Sequence, residues 1–446
     1  MITRLIVERF APNDGQRSAE VRQAQKMGRD PFSRRTLDNK YATQVRQSKD
    51  ARNAIVSAAS LILMIGTAAA QPVFSFPDTV SGRKVLVFDF HTHSVFSDGT
   101  VWPTVRVEEA LREGLDGFAV TEHLEYQPFS DFIPNEDRNA AFQIASDAAG
   151  EKLLIVNGLE LTRGYPPGHL NALFLEDANK FVIEDINVRA DFSTGNNAPR
   201  RNREVTYQLL EIAKQQNAFV VWNHPNWMGQ QLSGEPDLTP MHLQLIADRV
   251  IEGIELNGSE TNFAIALKYN LTLFANSDVH GPIAWRSGFF QDRYGATDPL
   301  GAQRRVTLVL AEDASEASVR RAIDERRTVA LEDGSFFGRR RDVADLLLGG
   351  LIVRDAGRVQ HVGRAASVYR ISIENKFSSD LILENLGRQN FFFEHRVFTV
   401  PAQSQKTVLV TNAENLNDIG VLRFRVLNAY DQPQSSIELT VDIQPE

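Results

Sequence analysis

Cysteine is absent from this 446-residue chain. That excludes disulfides, thiolate metal ligation and a lipid anchor attached through cysteine. Any metal must then be held by nitrogen and oxygen alone. Long apolar runs are equally scarce. The uncharged, mostly apolar stretch at residues 54–70 follows Lys49 and Arg52 and ends in Ala68-Ala69-Ala70 before Gln71. Its seventeen residues are short for a membrane span. The layout is that of a secretory signal, so a periplasmic or secreted protein without a stable membrane anchor is expected. Residues 1–53 are polar and carry a net charge of +6, so removing residues 1–70 takes the formal charge from -9 to -15. Such acidity argues against long nucleic acid as a partner. Whether residues 1–44 are translated stays open. No internal repeat or low-complexity tract is visible.

The length suits two or three domains. Residues 71–340 alternate apolar runs with helical stretches. Strands are expected at Lys84–Phe90, Gly117–Thr121, Lys152–Val156, Leu170–Leu175, Ala218–Trp222, Val250–Leu256 and Leu271–Ala275. Seven strands with intervening helices predict an α/β fold closed as a barrel. A strand, helix and strand over 306–330 would follow, and Ser335–Arg341 reads as a loop or linker. From 346 to 446 helical periodicity gives way to short alternating strands, predicting an all-β sandwich with a core of its own. It holds no cluster of candidate ligands. Its Phe391-Phe392-Phe393 run is a candidate contact surface, and a homo-oligomer is conceivable.

Six of the nine histidines lie in short polar motifs beside the strand-like runs. These are His91-Thr92-His93, Thr121-Glu122-His123, Gly168-His169, Asn223-His224 and Asp278-Val279-His280, joined by Ser97-Asp98-Gly99 and Gly158-Leu159-Glu160. Imidazole with carboxylate suits zinc, manganese or iron. His91 and His93, spaced i, i+2 on a strand end, face one side and can clasp one metal. Asp278 and His280 repeat that spacing. Active residues in α/β barrels gather beyond the C-terminal strand ends. His169 breaks the rule, because it precedes its apolar run; a hairpin partner strand would account for it. His242, His361 and His395 lack such a setting and read as structural.

In this order the motifs resemble the PHP (polymerase and histidinol phosphatase) superfamily, over roughly residues 84–335. The resemblance implies a distorted seven-stranded barrel and a trinuclear divalent-metal site. It assigns His91, His93, Glu160 and Asp278 to one metal; Glu160, His169 and His224 to a second, with Glu160 bridging; and Asp98, His123 and His280 to a third. The export signal and trailing β region make the layout similar to secreted PHP phosphodiesterases acting on organophosphate diesters.

The chemistry so implied is hydrolysis of a small organophosphate by a hydroxide held between metals. Asp278 is expected to act in catalysis. An arginine should clamp the phosphoryl group; Arg286 is the first choice, then Arg138 and Arg163. Trp227, with Tyr126 and Trp285, would line a pocket for the ester group. Alternatives are a phosphomonoesterase of histidinol-phosphatase type, a nuclease on short oligonucleotides, and a secreted metal-storing or carbohydrate-binding protein.

Overall fold

A computed structural model of the chain describes residues 73–134, 136–182, 198–283, 304–359, 368–411 and 420–445. The leader and signal, Trp285, Arg286 and His361 lie outside them.

The barrel is built from β1 (Lys84–Thr92), β2 (Gly117–His123), β3 (Leu154–Leu161), β4 (Leu170–Leu173), β5 (Phe219–Trp222), β6 (Gly253–Glu255) and β7 (Thr272–Phe274). They pair in that order, all parallel except β4, which runs antiparallel to both its neighbours. The ring closes where Thr92 bridges Val279, with the Asp278 N–H donating to the His91 carbonyl and the His93 N–H to the Val279 carbonyl. Because β4 is reversed, its N-terminal end lies with the C-terminal ends of the others. His169 therefore reaches the same rim.

Register along β1 slips between Asp89 and Thr92. Below the slip, Leu86, Phe88 and Phe90 pack with Phe219, Val221 and Phe274 in the buried interior. Above it, His91 and His93 take over the inward direction, which is what a bulge does to a period-2 strand. The other edge of β1 carries β8 (Val306–Ala311), followed by β9 (Thr328–Glu332). The intervening α6 (Glu316–Asp324) packs Val319, Ala322 and Ile323 on that same interior.

Earlier helices are α1 (Pro103–Glu113), α2 (Ala140–Ala149), α3 (Ala198–Gln215), α4 (Pro240–Ala247) and α5 (Glu260–Lys268). α1 opens on Pro103 and ends at Gly114, whose φ of 83° forms the left-handed cap that glycine adopts without strain. Among the described residues no helix is long and apolar enough to cross a membrane.

The expected linker is instead structured. Ser335–Gly338 form β10, and α7 (Arg340–Gly350) follows. Phe336 and Val343 are fully buried, and these apolar residues draw a basic, glycine-containing segment into order. β10 pairs antiparallel with β9 and parallel with β17 (Val421–Gln432), so the barrel's sheet continues into the C-terminal β region. That region adds β11 (Leu351–Val359), β12 (Val368–Asn375), β13 (Leu381–Asn385), β14 (Asn390–Phe392), β15 (Val397–Val400), β16 (Ser404–Thr411) and β18 (Ser435–Gln444). One sheet runs β11-β12-β16-β14, the other β15-β13-β17-β18. The core between them is continuous with the barrel's outer shell: Leu346, Leu383 and Phe424 belong to the same buried cluster as Val107, Phe118 and Leu308. The β region thus does not bury a core separate from the barrel. Of the phenylalanine run, Phe391 packs on this core while Phe392 and Phe393 are exposed.

Candidate metal centre

Nine side chains from all seven motifs meet at the barrel's C-terminal rim. Glu160, at the end of β3 and fully buried, is the centre. Its Oε1 lies 3.5 Å from His91 Nε2, 3.0 Å from His169 Nδ1 and 3.3 Å from His224 Nε2. Its Oε2 lies 3.5 Å from His93 Nε2 and 2.7 Å from His123 Nδ1. Asp278 Oδ1 is 3.2 Å from His91 Nε2 and 3.0 Å from His93 Nε2. Asp98 Oδ1 is 3.3 Å from His123 Nε2 and 3.1 Å from His280 Nε2. The donor atoms fall into overlapping groups: His93, Asp98, His123 and His280; His91, His93 and Glu160; His91, His224 and Asp278; Glu160, His169 and His224.

The residues fit divalent cations on two counts. The donors are imidazole and carboxylate throughout. Several of them, His91 Nε2, His93 Nε2, Asp98 Oδ1 and Glu160 Oε2, are also buried without a hydrogen-bond partner. Buried polar atoms are normally partnered, so atoms aimed at a common centre and left bare mark the place of a ligand.

The electrostatics follow from crowding. Burial opposes charge on Glu160, yet His123, His169 and His91 hold its carboxyl well below the usual range. Asp278 and Asp98 are likewise held down against burial, the first by His91 and His93, the second by His123 and His280. Burial, with His280 and His123 beside it, pushes the His93 imidazole down to about 3. The carboxylates are held in the ionised state that ligation needs, and against burial they hold the imidazoles of His91, His123, His224 and His280 above their ordinary value, a pairing that a bound cation would replace.

A second layer, whose roles the sequence did not disclose, orients these ligands. Glu255, at the end of β6, accepts from His91 Nδ1 at 2.8 Å, the His224 N–H at 2.7 Å and Asn276 Nδ2 at 2.9 Å. Asn223 donates to Glu160 Oε1 at 3.0 Å. Glu122 accepts from the hydroxyls of Ser94 and Ser97, shaping the turn that carries Asp98. Gly99 allows that turn, since a Cβ there would lie 2.7 Å from the Ser94 nitrogen. Arg106 donates to the carbonyls of His93, Val279 and Gly281, and Asp89 accepts from the N–H groups of His91 and Ser277. Glu122 and Asn223 sit inside the quoted motifs. Glu255 could have been found by asking which carboxylates end a strand.

Above this cluster lies a cleft of about 250 Å³, lined by Asp98, His123, His169, His224, Trp227, Asp278 and His280. Trp227 stands at its edge, and Tyr126 lies against His123 with ring centroids 6.0 Å apart. Of the candidate clamps, Arg163 and Arg138 are absent from the cleft lining. Arg163 is fully buried and occupied by Glu125, Thr206 and Asn202, which leaves it no face for a substrate; it holds the loop after β2 to α3 instead. Arg138 donates to the Leu124 carbonyl at 3.1 Å. Arg286 is outside the described residues. His242 is buried against Trp222, away from the cluster, and donates to the Pro167 carbonyl at 2.8 Å.

A barrel rim with this donor set is that of a candidate divalent-metal hydrolase. A two-domain protein from Bacteroides vulgatus, described as containing a predicted PHP-like metal-dependent phosphoesterase, is 30% identical to this chain with a TM-score of 0.66; the match covers 83% of this chain and 98% of that one. An uncharacterised protein of Methanocaldococcus jannaschii is 23% identical over 216 residues, 48% of this chain and 89% of that protein. A family model described as an Ig-like domain matches residues 357–442. The chain belongs to the PHP superfamily of metal-dependent phosphoesterases, its barrel followed by an Ig-like domain.

Proposed function

We propose that the chain is a phosphodiesterase with a trinuclear metal site. The observation that supports this is Glu160: one buried carboxylate faces five imidazoles, three toward one oxygen and two toward the other. A single carboxylate cannot satisfy five imidazoles, so the cluster calls for cations shared between groups. In this reading His91, His93, Glu160 and Asp278 hold the first, Glu160, His169 and His224 the second, and Asp98, His123 and His280 the third. Manganese, zinc or iron suits the donors. Bound metals supply Lewis acidity to phosphoryl oxygens and acidify water. In this reading Asp278, which lines the cleft and is kept ionised against burial by His91 and His93, would orient the attacking water.

Among the described residues, no lysine or arginine lines the cleft while two carboxylates do. With no such side chain to add to the charge of bound metals, the second charge of a monoester dianion would be met by the metals alone, whereas a diester has none to meet. The small volume fits a small organophosphate. Initial rates with bis(p-nitrophenyl) phosphate and p-nitrophenyl phosphate, with manganese or zinc supplied, test the proposal. The diester should be the better substrate by kcat/KM. A faster monoester would make the chain a phosphomonoesterase instead. Cleavage of short oligonucleotides in preference to both would make it a nuclease. Export is proposed on residues 54–70; N-terminal sequencing of the exported form should begin within a few residues of Gln71, and an intact N-terminus would refute it.

A further inference from the structure

The turn after β5 has its polarity inverted. Loops ordinarily turn amides outward and large apolar groups inward. Between His224 and Gly234, Gln231 is buried and Gln230 Nε2 donates inward to the Arg163 carbonyl at 2.9 Å. Trp227, Met228 and Leu232 point outward, 46%, 67% and 93% exposed. This is an exposed apolar patch at the edge of a polar site, the pattern that marks a binding surface.

Trp227 is held firmly. Its N–H donates to the His224 carbonyl at 2.8 Å, and its own carbonyl accepts from the N–H groups of Gln230 and Gln231 at 2.9 and 2.8 Å. Its ring lies 5.5 Å from the rings of both His169 and His224. The ring passes so close over Gly229 that a Cβ there would sit 2.3 Å from it. The indole is therefore seated on the loop backbone beside two metal ligands, with its outer face open. A rigid, half-exposed indole presents stacking area with little rotamer entropy to lose.

We propose that Trp227 is the specificity-determining platform of this site, selecting phosphoesters that carry a planar aromatic substituent. The proposal rests on the phosphoester reading above. The substrate, not a protein or a membrane, is the occupant, because the platform borders the cleft itself and lies against the imidazoles that would hold a phosphoryl-binding metal.

The test is calorimetric titration of the metal-loaded full chain with phenylphosphonate and methylphosphonate, neither of which turns over. The parent should bind phenylphosphonate about tenfold tighter. W227A should bring that ratio close to one. W227F should keep most of it, and G229A, which unseats the ring without removing it, should lower it. Metal content is measured on every variant; if W227A loses metal, W227F and G229A decide. A parent ratio near one, or an unchanged ratio in a metal-retaining W227A or in G229A, overturns the proposal. So does loss of co-sedimentation with phosphatidylglycerol vesicles in W227A with the ratio intact, which would assign the loop to a lipid surface. Because binding needs no turnover, the two readings fail separately. A chain that hydrolyses no phosphoester yet loses the ratio in W227A refutes only the enzymatic reading. A chain that hydrolyses them with the ratio unchanged refutes only the platform.

Discussion

Glu255→Gln replaces a single atom, and its cost can be worked from three hydrogen bonds. Oε1 accepts from His91 Nδ1 and Asn276 Nδ2, and Oε2 accepts from the His224 N–H. Glutamine keeps one acceptor oxygen and gains an NH₂ donor. With the nitrogen at the Oε2 position, it confronts the His224 N–H. With the nitrogen at the Oε1 position, it confronts Asn276 and drives the His91 proton from Nδ1 to Nε2, the atom aimed at Glu160 and Asp278. Both orientations leave a buried donor unmet, a loss of about 1–3 kcal/mol. Both also disturb a ligand imidazole, and changes in such supporting partners lower metal affinity by about 10–100-fold. The variant should fold, melt a few degrees lower (roughly 2–4 °C per kcal/mol for chains this size or somewhat smaller) and lose metal to a chelator that the parent resists. Excess metal should restore activity. Circular dichroism with elemental analysis after chelator dialysis measures both. A folded Glu255→Gln protein that keeps metal as tightly as the parent would show that Glu255 only fills space.

Asp278→Asn should cut activity at least as deeply as loss of a supporting partner, by about 100-fold or more, while His395→Ala, on an exposed loop of the β region, should leave rates nearly unchanged; equal losses in steady-state assays would mean the site is misplaced. Truncation after Glu332 removes Phe336, Leu346 and Phe424 from a core shared with the barrel, so the shortened chain should be insoluble or melt far lower; a soluble, metal-replete barrel seen by sedimentation and elemental analysis would refute that. Burial lowers His242 to about 4, and its Nδ1 accepts from Thr239, so protonation is disfavoured in the folded state. With an unfolded value of about 6.5, its stabilising effect is complete above that pH and fades as pH falls toward 4, by about 3 kcal/mol in all. Denaturant midpoints from pH 7 to 4 should fall less steeply in His242→Gln; parallel curves would rule this out.

The nine residues that converge were legible because each motif pairs a chemically distinctive residue with the end of an apolar run. The strands were legible for the same reason, most within a residue or two, although β3 runs five residues past the expected Val156 and β6 starts three residues after the expected Val250. His169 looked anomalous only because strand direction cannot be read from composition; the reversal of β4 resolves it. Ser335–Arg341 read as a linker because three arginines conceal two burying phenylalanines and the tertiary contacts that hold them. Arg163 drew attention as a clamp on charge alone. Its burial against Glu125 depends on α3, a helix more than thirty residues later in the sequence.

Two of the ligands sit on strained backbone. His224 has φ of 28° and Asp278 φ of 52°, a region that side chains other than glycine rarely adopt. Such conformations cost about 1–3 kcal/mol each and persist where neighbours over-determine them. Those neighbours are visible. Glu255 grips the His224 N–H. Asp89 takes the N–H of Ser277 at 3.1 Å and its hydroxyl at 2.5 Å, immediately before Asp278. Arg304 fixes Asp89 in turn, donating to it from Nε and Nη2 and to Glu113 on α1 from Nη1. On the other side of the bend, Arg106 of α1 holds the carbonyls of Val279 and Gly281. Buried charge-assisted bonds of this kind are about twice as strong as neutral ones. They offset the strain. The left-handed turn at Asp278 is thereby held by α1, β1 and Arg304, so the same short segment both closes the barrel through Val279 and presents Asp278 and His280 to the site.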